Sequence, residues 1–183
     1  MEKGPFDYWH RNGLLEYEQG EVKIFSMSGH NYLFIDQILY ASTSERAWYI
    51  RNVFPHARGK CLEIGLGLGA ASRVILANTD VTTLLTIESN SDVISAFGAP
   101  LRHHMILNKD VNEWVDSLVW AGPVYDLIFV DHFAEMDDEF YPEIKGLVDK
   151  LKLNLKPNGK LVVWVDENAA EEDKEAYRKL WVV

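Results

Sequence analysis

The sequence predicts an α/β fold, a doubly wound sheet of mostly parallel strands preceded by an N-terminal β-hairpin. From Lys60 onward, five short apolar runs alternate with longer amphipathic segments. That alternation builds parallel strands joined by crossover helices. The runs Leu127-Ile128-Phe129-Val130 and Leu161-Val162-Val163-Trp164-Val165 are continuously apolar, as strands covered on both faces are. The first run leads directly into Gly65-Leu66-Gly67-Leu68-Gly69, a backbone able to turn sharply at a strand–helix junction.

In chain order, Val22, Ile24 and Phe25 mark one strand and Tyr32, Phe34 and Ile35 the next. The turn formers of Ser26-Met27-Ser28-Gly29-His30-Asn31 between them predict a β-hairpin. Ser42 and Glu45 stand at capping-box spacing, so a helix is expected through Val53 that buries Ala47, Ile50 and Trp48, with Pro55 just past its end. Strands follow at Cys61–Ile64, Thr83–Ile87, His104–Leu107, Leu127–Val130 and Leu161–Val165. Helices are expected over Ala70–Leu76, Asp92–Phe97, Val111–Val119, Asp138–Leu155 and Ala169–Leu180, the last opening on the acids Glu171-Glu172-Asp173. Lys156-Pro157-Asn158-Gly159 reads as a turn before the fifth strand. No linker or repeat divides the chain, so residues 1–55, hairpin and helix, are expected to share one domain with residues 56–183. Only Trp181-Val182-Val183 follows the last helix. The sheet is therefore expected to end short, with an edge that a second copy covers in a homodimer.

Composition removes several function classes. Hydrophobic residues make up 48% of the 183 and charged residues 25%, the proportions of a globular protein and not of a disordered chain. Eighteen Lys and Arg against 28 Asp and Glu leave a net charge of −10 with no basic cluster. Nucleic acid and anionic membrane surfaces are thus not the expected partners. No apolar run approaches the roughly 18 residues that span a bilayer, and Met1-Glu2-Lys3-Gly4-Pro5 has no signal-peptide core. Cys61 is the single cysteine, which fits a reducing, cytoplasmic setting.

In parallel sheets of this kind ligands bind beyond the carboxyl ends of the strands. There the chain places Glu63 and the glycines Gly65, Gly67 and Gly69, then Glu88, Asp110, Asp131-His132-Phe133 and Asp166-Glu167-Asn168. Gly65, Gly67 and Ala70 also satisfy a loose dinucleotide fingerprint. Glu88 stands about 20 residues beyond the glycines, where an acid can take both hydroxyls of a ribose. Asp110 is equally suited to cap a helix. His103 and His104 read as surface and packing residues, Cys61 as a small buried hydrophobe, and the six tryptophans as core and interface filling.

The ordered set Glu63-x-Gly65-x-Gly67-x-Gly69, Glu88, Asp110 and Tyr125-Asp126-Leu127-Ile128-Phe129-Val130-Asp131 resembles the class I S-adenosylmethionine-dependent methyltransferases over about Lys60 to Asn168. The resemblance implies a Rossmann-like sheet, short here at its C-terminus, and S-adenosylmethionine as cofactor. It places the cofactor on Glu63, Gly65, Gly67, Gly69, Glu88, Asp110 and Asp131, and the acceptor near Asp131, His132, Tyr40 and Tyr49. Catalytic roles fall to Asp131, His132 and Tyr49, with Asp131 or His132 as base. A nicotinamide dehydrogenase would need a further substrate-binding part for which little chain follows the fifth strand. The implied function is therefore methyl transfer to a small-molecule acceptor.

Two branches of that fold compete for the detail. The hairpin, Phe34-Ile35-Asp36, Tyr49 and the glycine loop resemble the spermidine synthase, or aminopropyltransferase, arrangement, whose cofactor-contacting glutamine falls near Gln19. That family carries Asp where this chain has Leu68. It has Gln, Asp, Glu and His where Tyr40, Glu45, Arg46 and Ile50 stand, and a second acid at Ala134. Only Tyr49 and Asp131 match, so the architecture is carried over and the polyamine reaction kept as an alternative, beside a cofactor-binding protein without catalysis. Asp131-His132-Phe133 with Asp166-Glu167-Asn168 also resembles the metal-dependent catechol O-methyltransferases. Glu167 interrupts their Asp-Asn pair, and their base lysine is Ala134 here, so no metal is assigned.

Overall fold

The computed structural model describes residues 5–117, 122–132 and 140–183. Phe133, Ala134 and the expected helix residues 118–119 and 138–139 lie outside them. The chain opens with α1 (Pro5–Asn12), then four antiparallel strands in sequential order: β1 (Leu14–Gln19), β2 (Val22–Met27), β3 (His30–Ile35) and β4 (Ile38–Ser42). The expected hairpin is β2–β3, turning at Ser28-Gly29. Two further strands extend it on either side, where the sequence suggested only one pair. Alternation gives this sheet two apolar faces. Phe25 and Phe34 are covered by α1, whose Phe6 ring stands edge-on at 6.0 and 5.5 Å. Val22, Ile24, Leu33 and Ile35 form the other face and pack with Leu66, Leu68, Val93 and Ile94 of the following unit.

Ser42 does open a helix by a capping box: its hydroxyl accepts from the Ser44 N–H at 3.1 Å and the Glu45 carboxylate accepts from the Ser42 N–H. One 3₁₀ turn leads into α2 (Arg46–Asn52). The buried face of α2 is Trp48 and Tyr49, followed by Val53, whereas Ala47 and Ile50 are exposed. The aromatic pair turns inward because both rings lie against Phe129, at 6.2 and 5.8 Å. This helix thus belongs to the main core, together with the strands that follow.

Those strands are β5 (Gly59–Ile64), β6 (Val81–Glu88), β7 (His104–Asn108), β8 (Tyr125–Val130) and β9 (Leu155–Val163), parallel throughout in the order β7-β6-β5-β8-β9. The helices are α3 (Ala70–Leu76), α4 (Ser91–Phe97), α5 (Val111–Ser117), α6 (Tyr141–Lys152) and α7 (Glu171–Arg178). Lys156-Pro157-Asn158-Gly159 lies inside β9. Leu155 already pairs with Tyr125, the chain bulges with Asn158 at φ +66°, and pairing resumes at Lys160 opposite Leu127. At the edge expected to be bare, Val182 exchanges both backbone bonds with Leu161, at 2.8 and 2.9 Å. Strand order reverses between β5 and β8, so the crevice that a doubly wound sheet uses for ligands opens beyond Ile64 and Val130.

Candidate functional site

The three glycines after β5 have three different neighbours. Gly65, at φ +89°, lets the loop pass the end of β8: a Cβ there would lie 1.9 Å from the Asp131 carbonyl oxygen. Gly69, at φ +65°, holds α3 against α4, since a Cβ would lie 2.1 Å from the Phe97 ring. Gly67, at φ +49°, has the most room of the three, since an added Cβ would meet the Ala41 methyl at 3.1 Å, and it lines a cavity with Gly65. Leu66 and Leu68 point away into the small core under the N-terminal sheet. The loop therefore docks that sheet with its leucines and presents its backbone to the crevice.

Glu88, ending β6, accepts the Leu66 N–H on one carboxylate oxygen at 3.0 Å and the Asn90 N–H on the other at 2.8 Å. It lines the same cavity of about 330 Å³ together with Gly65, Gly67, Asp131 and His132. An ionised carboxylate held by backbone donors keeps lone pairs for a vicinal diol. Asp110 is exposed and caps α5, accepting from the Asn112 and Glu113 N–H groups at 2.8 and 3.1 Å. It does not line the cavity, though its charge reaches His132.

Glu63 is fully buried beneath the loop and does not line the cavity either. Its Oε2 accepts from the hydroxyls of Ser72 and Thr86, both at 2.5 Å, and its Oε1 has no hydrogen-bond partner among the described residues. Burial pushes its carboxyl up to about 7, against the two hydroxyl bonds that favour the charged form. Because Thr86 gives its proton to Glu63, His104 must donate from Nε2 to the Thr86 oxygen at 2.8 Å. His104 is accordingly a buried packing residue, lowered by burial to about 4, and His103 is exposed. Gln19, at the end of β1, donates to Asp92 of α4 at 2.8 Å and tethers the N-terminal sheet there.

Asp131, directly after β8, meets Tyr49 of α2. The Tyr49 oxygen lies 3.0 Å from Asp131 Oδ2 and 3.0 Å from Glu45 Oε2. A phenol has one proton to give, so the second contact needs a carboxyl proton, and the trio holds two protons and one net negative charge. The electrostatics agree. Burial, then the Glu45 charge, raises Asp131 well above the carboxylate range; burial also raises Glu45, and Tyr49 stays protonated. Burial lowers His132 below the ordinary imidazole range, so it is neutral at pH 7.

Glu45, read from the sequence as a helix cap and as the residue standing where the spermidine synthase family has Asp, faces a second cavity of about 390 Å³. Tyr32, Tyr40, Trp48 and Trp164 give it aromatic walls; Glu45, Asp166 and Glu167 give it acids, with Arg51 paired to Glu167 at 2.5 Å. The two cavities share Tyr40 and Ala41. Leu33 pairs with Ala41 and Phe34 with Leu39, so Tyr40 is the extra residue of a bulge in β4, a device that re-aims a side chain next to a site. Asp131 lines one cavity, Glu45 the other, and the Tyr49 hydroxyl joins them through the wall. Asp166 turns its Oδ1 to the Asn168 backbone and side chain. Among the described residues no cluster of three His, Cys, Asp or Glu is placed to hold a metal ion.

No family model matches the chain. Over 114 residues it is 30% identical to trans-aconitate 2-methyltransferase of Rhizobium meliloti (strain 1021), covering 62% of this chain and 40% of that protein. In three dimensions it resembles spermidine synthase from Thermotoga maritima, with TM-score 0.69 at 20% identity over 91% of this chain and 62% of that one. A spermidine synthase in complex with the transition-state analogue AdoDATO gives the same TM-score and identity and is covered over 64%. The chain thus spans less than two thirds of each of these proteins.

Proposed function

We propose, for a chain with the class I S-adenosylmethionine-dependent methyltransferase fold in its spermidine synthase-like arrangement, that it moves a methyl group from S-adenosylmethionine to a small acceptor. The observation that carries this is the pair of adjoining cavities with the Tyr49 hydroxyl hydrogen-bonded to one carboxyl on each side. Two-substrate transfer requires donor and acceptor held in line with water excluded.

The residues fit the nucleoside on the smaller side. Gly65 and Gly67 leave the backbone bare of side chains, and Glu88 offers both oxygens. Bound there, S-adenosylmethionine supplies a methyl carbon on a sulfonium, a leaving group that departs as a neutral thioether. Glu88 holds the ribose, and Asp131 and His132 close the side toward β8. Tyr40 separates the two chambers and Glu45 faces the acceptor. The proton that an acceptor N–H or O–H gives up passes to Glu45 or Asp131, with Tyr49 linking the two. Neutral His132 is a further base on the donor side.

A second reading, aminopropyl transfer from the decarboxylated cofactor, rests on one specific observation. Among the described residues, neither Lys nor Arg lines the smaller cavity, while the carboxyls of Glu88 and Asp131 do, an environment that does not favour a methionine carboxylate. Among the described residues lining the larger cavity, three carboxyls stand against one guanidinium. A polyanion such as trans-aconitate, the acceptor named for the matched methyltransferase, would be repelled. The test is a calorimetric comparison of S-adenosylmethionine with its decarboxylated form. Tighter binding of the intact form supports methyl transfer; binding of the decarboxylated form alone moves the assignment to aminopropyl transfer, and binding of neither overturns both.

A further inference from the structure

The larger cavity combines two kinds of lining that specify a ligand more closely than charge alone. Tyr32, Tyr40, Trp48 and Trp164 surround it, and Glu45, Asp166 and Glu167 set its potential. Aromatic faces attract cations through the ring quadrupole, and they offer an apolar body more contact than a linear polyamine has surface to use. Its volume of about 390 Å³ lies in the range of small-molecule sites. The Glu45 carboxyl belongs to a trio that already holds one proton more than its phenol needs. The other charged groups acting on that trio are acids as well, Glu63 from β5 on Asp131 and Asp166 beyond β9 on Glu45. The guanidinium among the described lining residues, Arg51, is turned to Glu167.

We propose that this cavity binds an organic monocation with an aromatic or alkylated body, of the arylalkylamine class, and that entry of the cation expels a proton from the Glu45–Tyr49–Asp131 trio to solvent. As the identity of the acceptor this rests on the transfer reading above; as a cation site it stands on the cavity itself. No covalent bond changes on binding. One carboxyl O–H is lost to buffer, and the charge of the ligand replaces it beside the ionised pair.

The probe is benzyltrimethylammonium chloride, a permanent cation, so any proton released comes from the protein. Titration of the full chain at pH 7 by calorimetry in phosphate and in Tris is expected to show saturable binding and a heat difference corresponding to release of up to one proton per site. Glu45→Gln, which keeps an oxygen for the cap, should weaken binding by roughly tenfold or more and abolish the buffer dependence; Tyr40→Ala should weaken it several-fold. Benzyl alcohol and citrate should not bind, and putrescine should bind more weakly than the aromatic cation. Each protein is also titrated with S-adenosylhomocysteine, which separates the two readings. Nucleoside binding without cation binding overturns this proposal alone, whereas cation binding without nucleoside binding overturns the transfer reading alone. Putrescine binding more tightly than the aromatic cation, equal heats in both buffers, or undiminished binding by a folded Glu45→Gln would also overturn it.

Discussion

Glu88→Ala removes a carboxylate that holds both the loop and, on this reading, the ribose. In the free protein its oxygens accept the Leu66 and Asn90 N–H groups at 3.0 and 2.8 Å. Both donors are part-buried and accessible to water once the side chain is gone, so the loss of stability should be about 1–2 kcal/mol. The cost to binding is larger. Two ribose hydroxyls lose charge-assisted acceptors in a partly closed crevice, roughly 2–4 kcal/mol, or about 30- to 1000-fold in affinity. Glu88→Gln keeps one carbonyl oxygen and should fall between, at about tenfold. Glu171→Ala is the control, because Glu171 has an 85% exposed side chain paired with Lys174 on α7. Calorimetric titration with S-adenosylhomocysteine reads the affinities, and urea melts report the stability of each variant. A folded Glu88→Ala protein that binds as tightly as the parent would refute the assignment of the smaller cavity to the nucleoside.

Two further substitutions separate structural from ligand-facing roles. Gly65→Ala drives a methyl into the Asp131 carbonyl oxygen, 1.9 Å away, and should yield unfolded or insoluble protein; Gly67→Ala, strained at φ +49° and 3.1 Å from the Ala41 methyl, should cost about 1–2 kcal/mol of stability and still fold, while losing S-adenosylhomocysteine affinity by calorimetry. Glu63 has a folded pKa of about 7, above its unfolded value, so its stabilising contribution is complete below about pH 4.5 and is lost as pH rises through 7. In urea melts the parent should therefore lose roughly 2–3 kcal/mol more than Glu63→Gln between pH 5 and pH 8, and parallel pH profiles would refute the buried-acid assignment.

The parallel half of the fold was legible because burial on both faces leaves strands no choice of composition. Leu127 to Val130 and Leu161 to Val163 are fully apolar and lie at the centre of the core. The N-terminal sheet was legible only in its middle pair. β1 alternates little because it is an edge strand exposed at every position but Tyr17, and β4 lost its alternation to the bulge at Tyr40. On α2 the sequence placed Trp48 inward correctly but put Ala47 and Ile50 there in place of Tyr49, because the inward residues are set by Phe129, about eighty positions away.

What the sequence by itself determined is the row of strand-end acids and the glycines between them, since a strand–helix unit fixes where its own turn lies. Tertiary structure decided what each of those residues faces. It sent Glu63 beneath the loop, left Asp110 outside the cavity as a helix cap, and gave Gly65 and Gly69 to Asp131 and Phe97. It also brought Glu45, Tyr49 and Asp131 together, three residues spread over 86 positions whose contact no local pattern encodes. The physical reason is that local sequence sets backbone geometry, whereas the proton held between two carboxyls and a phenol depends on distances created only when α2 packs across the end of β8.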